Sequence, residues 1–146
     1  MDMCRCSLVW PLLAAVVATG SCSRTPDERP VEDSRLKAAT DVFWALNERG
    51  YVITKEKPGA SNHGCKPYEY LLQKGSARFR LSVFECGDVE QARELTAHPY
   101  NKRVDELLRN RQEGGIIQRG PLQLILRFLE GDRNAVPELV NLLEKL

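Results

Sequence analysis

The sequence has no surplus of charge of either sign: 21 lysines and arginines stand against 20 aspartates and glutamates, a net charge of +1. That balance argues against a nucleic-acid binder and against a polybasic membrane-surface protein. No apolar run approaches the ~20 residues that a membrane-spanning helix needs. The short catalytic signatures are missing as well: there is no G-x-S-x-G elbow, no C-x-x-C pair and no H-E-x-x-H helix. The glycine-bearing loop Lys57 to Cys65 lacks the Lys-Ser/Thr step of a phosphate-cradling loop. What is present is 146 residues, 42% hydrophobic and 28% charged, which excludes wholesale disorder and leaves room for one core. Five cysteines, an odd number, cannot all pair within one chain.

The first 21 residues read as an address. After Arg5, the stretch Leu8 to Ala18 is apolar except for Pro11, about a dozen residues in all, too short to span a bilayer and suited to a signal-peptide core. Thr19-Gly20-Ser21 then precedes Cys22. Small residues before a cysteine resemble a bacterial lipoprotein signal, which implies that Cys22 is diacylated and becomes the mature N-terminus. Three acyl chains would anchor far more firmly than one. An ordinary secretory leader cleaved near Gly20 or Ser21 is the competing reading. Residues 22–32 form the lipidated start and a tether, whose Ser23–Glu32 stretch carries two prolines and several charges. Ser23, where aspartate would imply inner-membrane retention, implies the periplasmic leaflet of a Gram-negative outer membrane.

From Asp33 to Leu146 the pattern predicts a single α+β domain. Leu36, Ala39, Val42, Phe43 and Leu46 recur at helical spacing. Tyr51 to Lys55 suits a short strand, and Tyr68, Tyr70 and Leu72 alternate with polar neighbours. After a turn at Lys74-Gly75-Ser76, Phe79, Leu81 and Val83 alternate with Arg78, Arg80 and Ser82. Asp88 is a helix N-cap, His98-Pro99 breaks that helix, and Asn101 is placed to cap a second helical segment. A second hairpin follows Gly114-Gly115 and turns at Gly120-Pro121, and the last helix tolerates Pro137 only in its first turn. The expected order is α-βββ-α-ββ-α, an antiparallel sheet of about five strands with helices on one face. A faint echo, Leu71-Leu72-Gln73-Lys74-Gly75 against Ile116-Ile117-Gln118-Arg119-Gly120, suggests a ββα unit used twice.

Cys65 and Cys86 are the cysteines left in the body of the domain. An exported setting is oxidising, so they are expected to form a disulfide at the open end of the hairpin. A metal site from His63, Cys65, Cys86 and His98 is the sharper alternative, but His63-x-Cys65 is its sole local pair and no metal is expected. A Cys86–His98 nucleophile and a Glu69–Glu85 carboxylate pair are weaker still. Arg78 and Arg80, facing outward with Tyr68 or Tyr70 nearby, are a candidate surface for an anionic ligand or partner; ordinary solvated polar residues are the plainer reading. The mixed charges from Asn101 to Glu113, including Arg109 and Arg111, read as a solvated helix face.

The arrangement as a whole is similar to a loose class of small, uncharacterised bacterial lipoproteins. The similarity rests on the Cys22 signal, the tether, Arg80-Leu81-Ser82-Val83-Phe84-Glu85 leading into a helix, and the late hairpin before a terminal helix. It implies membrane tethering in the cell envelope and carries over no catalytic residues and no cofactor. The expected function is therefore a non-catalytic binding or accessory module for a protein partner. A small-ligand or anion sensor is the alternative, and a thiol- or metal-dependent enzyme the minority reading.

Overall fold

Strict alternation in two neighbouring segments makes a hairpin with one dry face and one wet face. A computed structural model describes residues 36–146 and contains this hairpin; the leader, Cys22 and the tether lie outside the described residues. Strand β2 (Lys66–Lys74) pairs antiparallel with β3 (Ala77–Glu85), with Tyr70 opposite Leu81 and Leu72 opposite Phe79. Strand β1 (Val52–Glu56) adds to the outer side of β2. The second hairpin, β4 (Gly114–Arg119) and β5 (Leu122–Glu130), joins through β5, giving the order β1-β2-β3-β5-β4. All four pairings are antiparallel.

Among the described residues four helices complete the α+β fold: α1 (Ala39–Asn47), α2 (Val89–Ala97), α3 (Pro99–Asn110) and α4 (Ala135–Lys145). The element order agrees with the sequence pattern once the break at His98-Pro99 is counted as separating α2 from α3. Asp88 caps α2, its side chain accepting from the Gln91 N–H. Asn101 does not cap α3: His98 holds that position, and Asn101 is buried inside the helix, donating from Nδ2 to the Leu95 carbonyl at 2.6 Å. Pro137 lies in the first turn of α4, where its missing N–H costs nothing. Among the described residues no helix is long and apolar enough to cross a membrane.

The main core lies between one sheet face and two helices. Leu36, Val42 and Leu46 from the α1 segment and Leu139 and Leu143 from α4 pack with Phe79, Leu81, Val83, Leu124 and Leu126. The start of α1 is pinned to β3, because the Ala39 N–H donates to Glu85 Oε2 at 3.0 Å.

Helix α2 breaks the expectation of helices on one face. It packs against Phe84, which points away from the main core, through Ala92 and Leu95. The Gln123 amide, fully buried in β5 opposite Phe84, donates to Thr96 Oγ1 on the same helix. The physical reason is visible in β5, where Leu122, Gln123 and Leu124 are buried in succession, so both faces must be covered there. The two ββα segments therefore place α2 and α4 on opposite faces, and the echo between them does not extend to a shared packing.

Cys65 and Cys86 form a disulfide, as the cysteine arithmetic predicts. Cys65 is fully buried and Cys86 nearly so, in a small second core with Ala92 and Leu95. The bond joins the start of β2 to the end of β3, across a sequence separation of 21. Peptide mapping without reductant should recover Cys65 and Cys86 in one crosslinked species; two free-thiol peptides would contradict the pairing. Replacing both by alanine should lower stability by about 3 kcal/mol, the chain-entropy value for a loop of this length.

Two core tyrosines set an alkaline limit. Burial raises Tyr51 above the ordinary value of 10.0, aided by the nearby charge of Glu138. Burial likewise raises Tyr70, with smaller contributions from Tyr68 and Glu85. Because the folded values exceed the unfolded ones, this stabilisation is fully present below about pH 10 and is lost as pH climbs through the raised values. Urea midpoints should thus fall on going from about pH 9 to about pH 11, and Tyr70→Phe should flatten the decline.

Candidate functional site

The sheet-face site expected from the sequence is not assembled. Tyr68 lies opposite Val83 and Tyr70 opposite Leu81, so both tyrosines belong to the core face, whereas Arg78 and Arg80 occupy the other. Tyr70 is 3% exposed and packs beside Phe43, with ring centroids 6.1 Å apart. The arginines are already engaged: Arg78 hydrogen-bonds to Glu130, and Arg80 Nε lies 3.6 Å from Glu56 Oε2. Both are about half exposed, and such pairs contribute at most about 1 kcal/mol. The pleat also separates Glu69 from Glu85, which alternate onto opposite faces and cannot act as a pair.

The ligand set His63, Cys65, Cys86 and His98 is brought into one neighbourhood but not into a metal geometry. Its two sulfurs are bonded to each other, which removes them as thiolate ligands and removes Cys86 as a nucleophile. The imidazoles lie 5.6 Å apart, centroid to centroid. His98 Nδ1 is occupied as the acceptor for the Tyr100 N–H at the start of α3. Among the described residues no cluster of three or more histidines, cysteines or acids could hold a metal ion.

A different site emerges from the end of α3, the start of β4 and the start of α4. Strand β4 is an edge strand, so alternate backbone groups face away from β5 and need partners. At Ile116 those partners come from side chains of α3. The Ile116 N–H donates to Asp105 Oδ1 at 2.7 Å, and Arg109 Nη2 approaches the Ile116 carbonyl at 3.4 Å. Asp105 and Arg109 lie one helical turn apart and bond to each other, Nε to Oδ1 at 2.9 Å. Arg109 Nη2 also reaches Glu144 Oε1 on α4 at 3.1 Å. Gly115 leaves room for this approach: a Cβ there would stand 3.2 Å from Asp105 Oδ1 and 3.3 Å from the Arg109 guanidinium, so both side chains would have to give by a few tenths of an ångström. Burial alone would lower the Arg109 pKa, but the hydrogen bonds and charges of Asp105 and Glu144 outweigh it and raise the value.

Beside this clamp lies a cavity of about 410 Å³. Its polar lining is Arg109, Gln112, Arg133 and Asn134; its apolar wall is Val136, Pro137 and Val140. Among the described residues no carboxylate lines it. Arg133 Nη1 donates to the Arg111 carbonyl at 3.1 Å, and its guanidinium lies 5.2 Å from the centre of the Phe128 ring. Gln112 adopts a φ of 53°, a left-handed conformation that is costly for a non-glycine residue and that turns the chain between α3 and β4. Sequence reading missed this site: it placed Arg109 on a solvated helix face and gave Arg133 no role. No linear motif joins two arginines separated by a whole hairpin. The available signal was Gly114-Gly115 beside a basic helix end, which marks a close backbone approach.

Removing the Asp105 carboxylate leaves the Ile116 N–H without its partner. Asp105→Ala should cost about 1–3 kcal/mol in urea unfolding, and it should also produce concentration-dependent self-association through the uncovered β4 edge. Unchanged stability together with unchanged sedimentation would contradict the clamp. No family model matches this chain, and neither curated proteins nor solved structures give a match.

Proposed function

We propose that this chain is a lipid-anchored binding module of the bacterial cell envelope, held by Cys22 and acting on a protein partner without catalysis. The observation that carries the reading is the Cys65–Cys86 disulfide, which accounts for the cysteines of the described domain as a structural pair. Such a pair suits an oxidising compartment, in keeping with a leader-like segment ending at Cys22. The proline-bearing stretch 23–32 supplies a spacer between anchor and domain. Ser23 supports the periplasmic face of the outer membrane as the location.

A second reading, a domain that senses a small anion, is favoured by one observation. Among the described residues, two guanidinium groups line the α3–β4–α4 cavity and no acid does. On this reading the Arg109–Arg133 cavity replaces the Arg78–Arg80 sheet face as the point of recognition.

The test of the anchor is expression of the full chain with Cys22→Ser, followed by membrane fractionation and labelling with a radioactive fatty acid. The unaltered chain should take up label and sediment with membranes, and the variant should do neither. Label-free, membrane-bound behaviour of both forms would overturn lipid anchoring.

A further inference from the structure

We infer that the cavity between α3 and α4 binds an organic carboxylate carried on a compact apolar body, gripped by Arg109 and Arg133. The inference deepens the reading of the domain as a binding module and does not depend on its lipid anchor.

Unused donors are the first support. Arg109 commits Nε and Nη2 to Asp105, Glu144 and the Ile116 carbonyl, and Arg133 commits Nη1 to the Arg111 carbonyl. Among the described residues nothing accepts from Arg109 Nη1 or from Arg133 Nε and Nη2, although both side chains line the cavity. A guanidinium tethered through some of its donors while others are unpaired meets part of the cost of orienting itself before a carboxylate arrives.

Charge balance narrows the class of anion. Asp105 and Glu144 bond to Arg109, and Glu113 lies 3.9 Å from Arg133. These three acids lie outside the cavity lining and more than offset the two arginines in formal charge, so the site offers hydrogen-bond donors without a net positive field. A multiply charged phosphate needs net positive charge to replace its hydration, whereas a singly charged carboxylate needs fewer donors and less field. The wall supplies the rest of the selectivity. Val136, Pro137 and Val140 offer apolar contact but no partner for a polar body, and about 410 Å³ is at the lower end of small-ligand sites.

Such a carboxylate has two sources, the C-terminus of a partner protein ending in an aliphatic residue or a free branched-chain acid. N-acetyl-leucine stands for the first and 4-methylpentanoate for the second. N-acetyl-leucine amide has the same body without the charge, and inorganic phosphate has charge without the body.

Each probe is titrated into the purified full-length protein while backbone amide NMR shifts are followed. Saturable shifts at Gln112, Gly114 and Val136 are expected with at least one acid, with the amide and phosphate each at least about tenfold weaker. Arg133→Gln should weaken the acid by about tenfold or more while the rest of the spectrum stays native. Arg133→Lys, which keeps charge but loses the fork, should fall between. Tighter binding of N-acetyl-leucine assigns the site to a chain terminus, and tighter binding of 4-methylpentanoate assigns it to a free acid; either supports the inference. It is overturned by absence of saturable shifts with both acids, by equal binding of the amide, by preferred binding of phosphate, or by unchanged affinity in Arg133→Gln. A failed titration with Cys22-dependent membrane association intact removes the cavity ligand and leaves the anchored module standing.

Discussion

The Asp105 carboxylate and the Arg109 guanidinium together close the edge of the sheet at Ile116. An open strand edge presents unpaired N–H and C=O groups that invite another chain. Here one acid and one base from the same helical turn occupy both groups of a single residue. The same arginine extends to Glu144, so α3, β4 and α4 are fastened at one point. Gly115 leaves room beside the helix, since a Cβ there would crowd both members of the clamp. The cavity lies beside this clamp, and Arg109, part of whose guanidinium the clamp engages, is among its lining residues. At the opposite edge, among the described residues, β1 pairs only with β2.

Much of the fold was legible because it rests on local chemistry. The alternation in β2 and β3, the turn at Gly75, the Asp88 cap and the helix break before Pro99 each follow from a few adjacent residues. The disulfide was legible from counting. What failed was the combination of elements. Tyr68 and Tyr70 were grouped with Arg78 and Arg80, yet the alternation already separated them: the tyrosines share the apolar parity that pairs with Leu81 and Val83, and the arginines have the polar parity. The placement of α2 on the second face turned on Gln123, a polar residue buried within an apolar run, which sequence alone reads as exposed. The Arg109–Arg133 cavity was hidden for a different reason. It exists only once α3 and α4 are packed against β4, and nothing in the spacing of two arginines announces that packing.

The domain is small, and its stabilising parts are divided between two cores. The larger core holds α1 and α4 against the sheet, and the smaller is organised by the Cys65–Cys86 bond beneath α2. A disulfide that restricts the unfolded chain is a sensible supplement where a small core must suffice. It also ties the proposed cellular setting to the structure, since the same oxidising compartment that permits this bond would receive a chain exported and anchored through Cys22. Of the two arginines of the proposed site, Arg109 is carried on the last turn of α3, and Arg133 lies in the turn just before α4. Arg109 is anchored to Asp105, Glu144 and the Ile116 carbonyl, and such anchoring lowers the entropic cost of association.

The clamp is tested most directly by native-state hydrogen exchange at the Ile116 amide, an edge-strand position that would otherwise meet solvent. If Asp105 holds that N–H as described, Ile116 should be protected to within about tenfold of the Leu124 amide in the sheet interior. Exchange of Ile116 at the rate of an unprotected edge amide, with Leu124 still protected, would contradict the clamp and the pre-set Arg109 that depends on it.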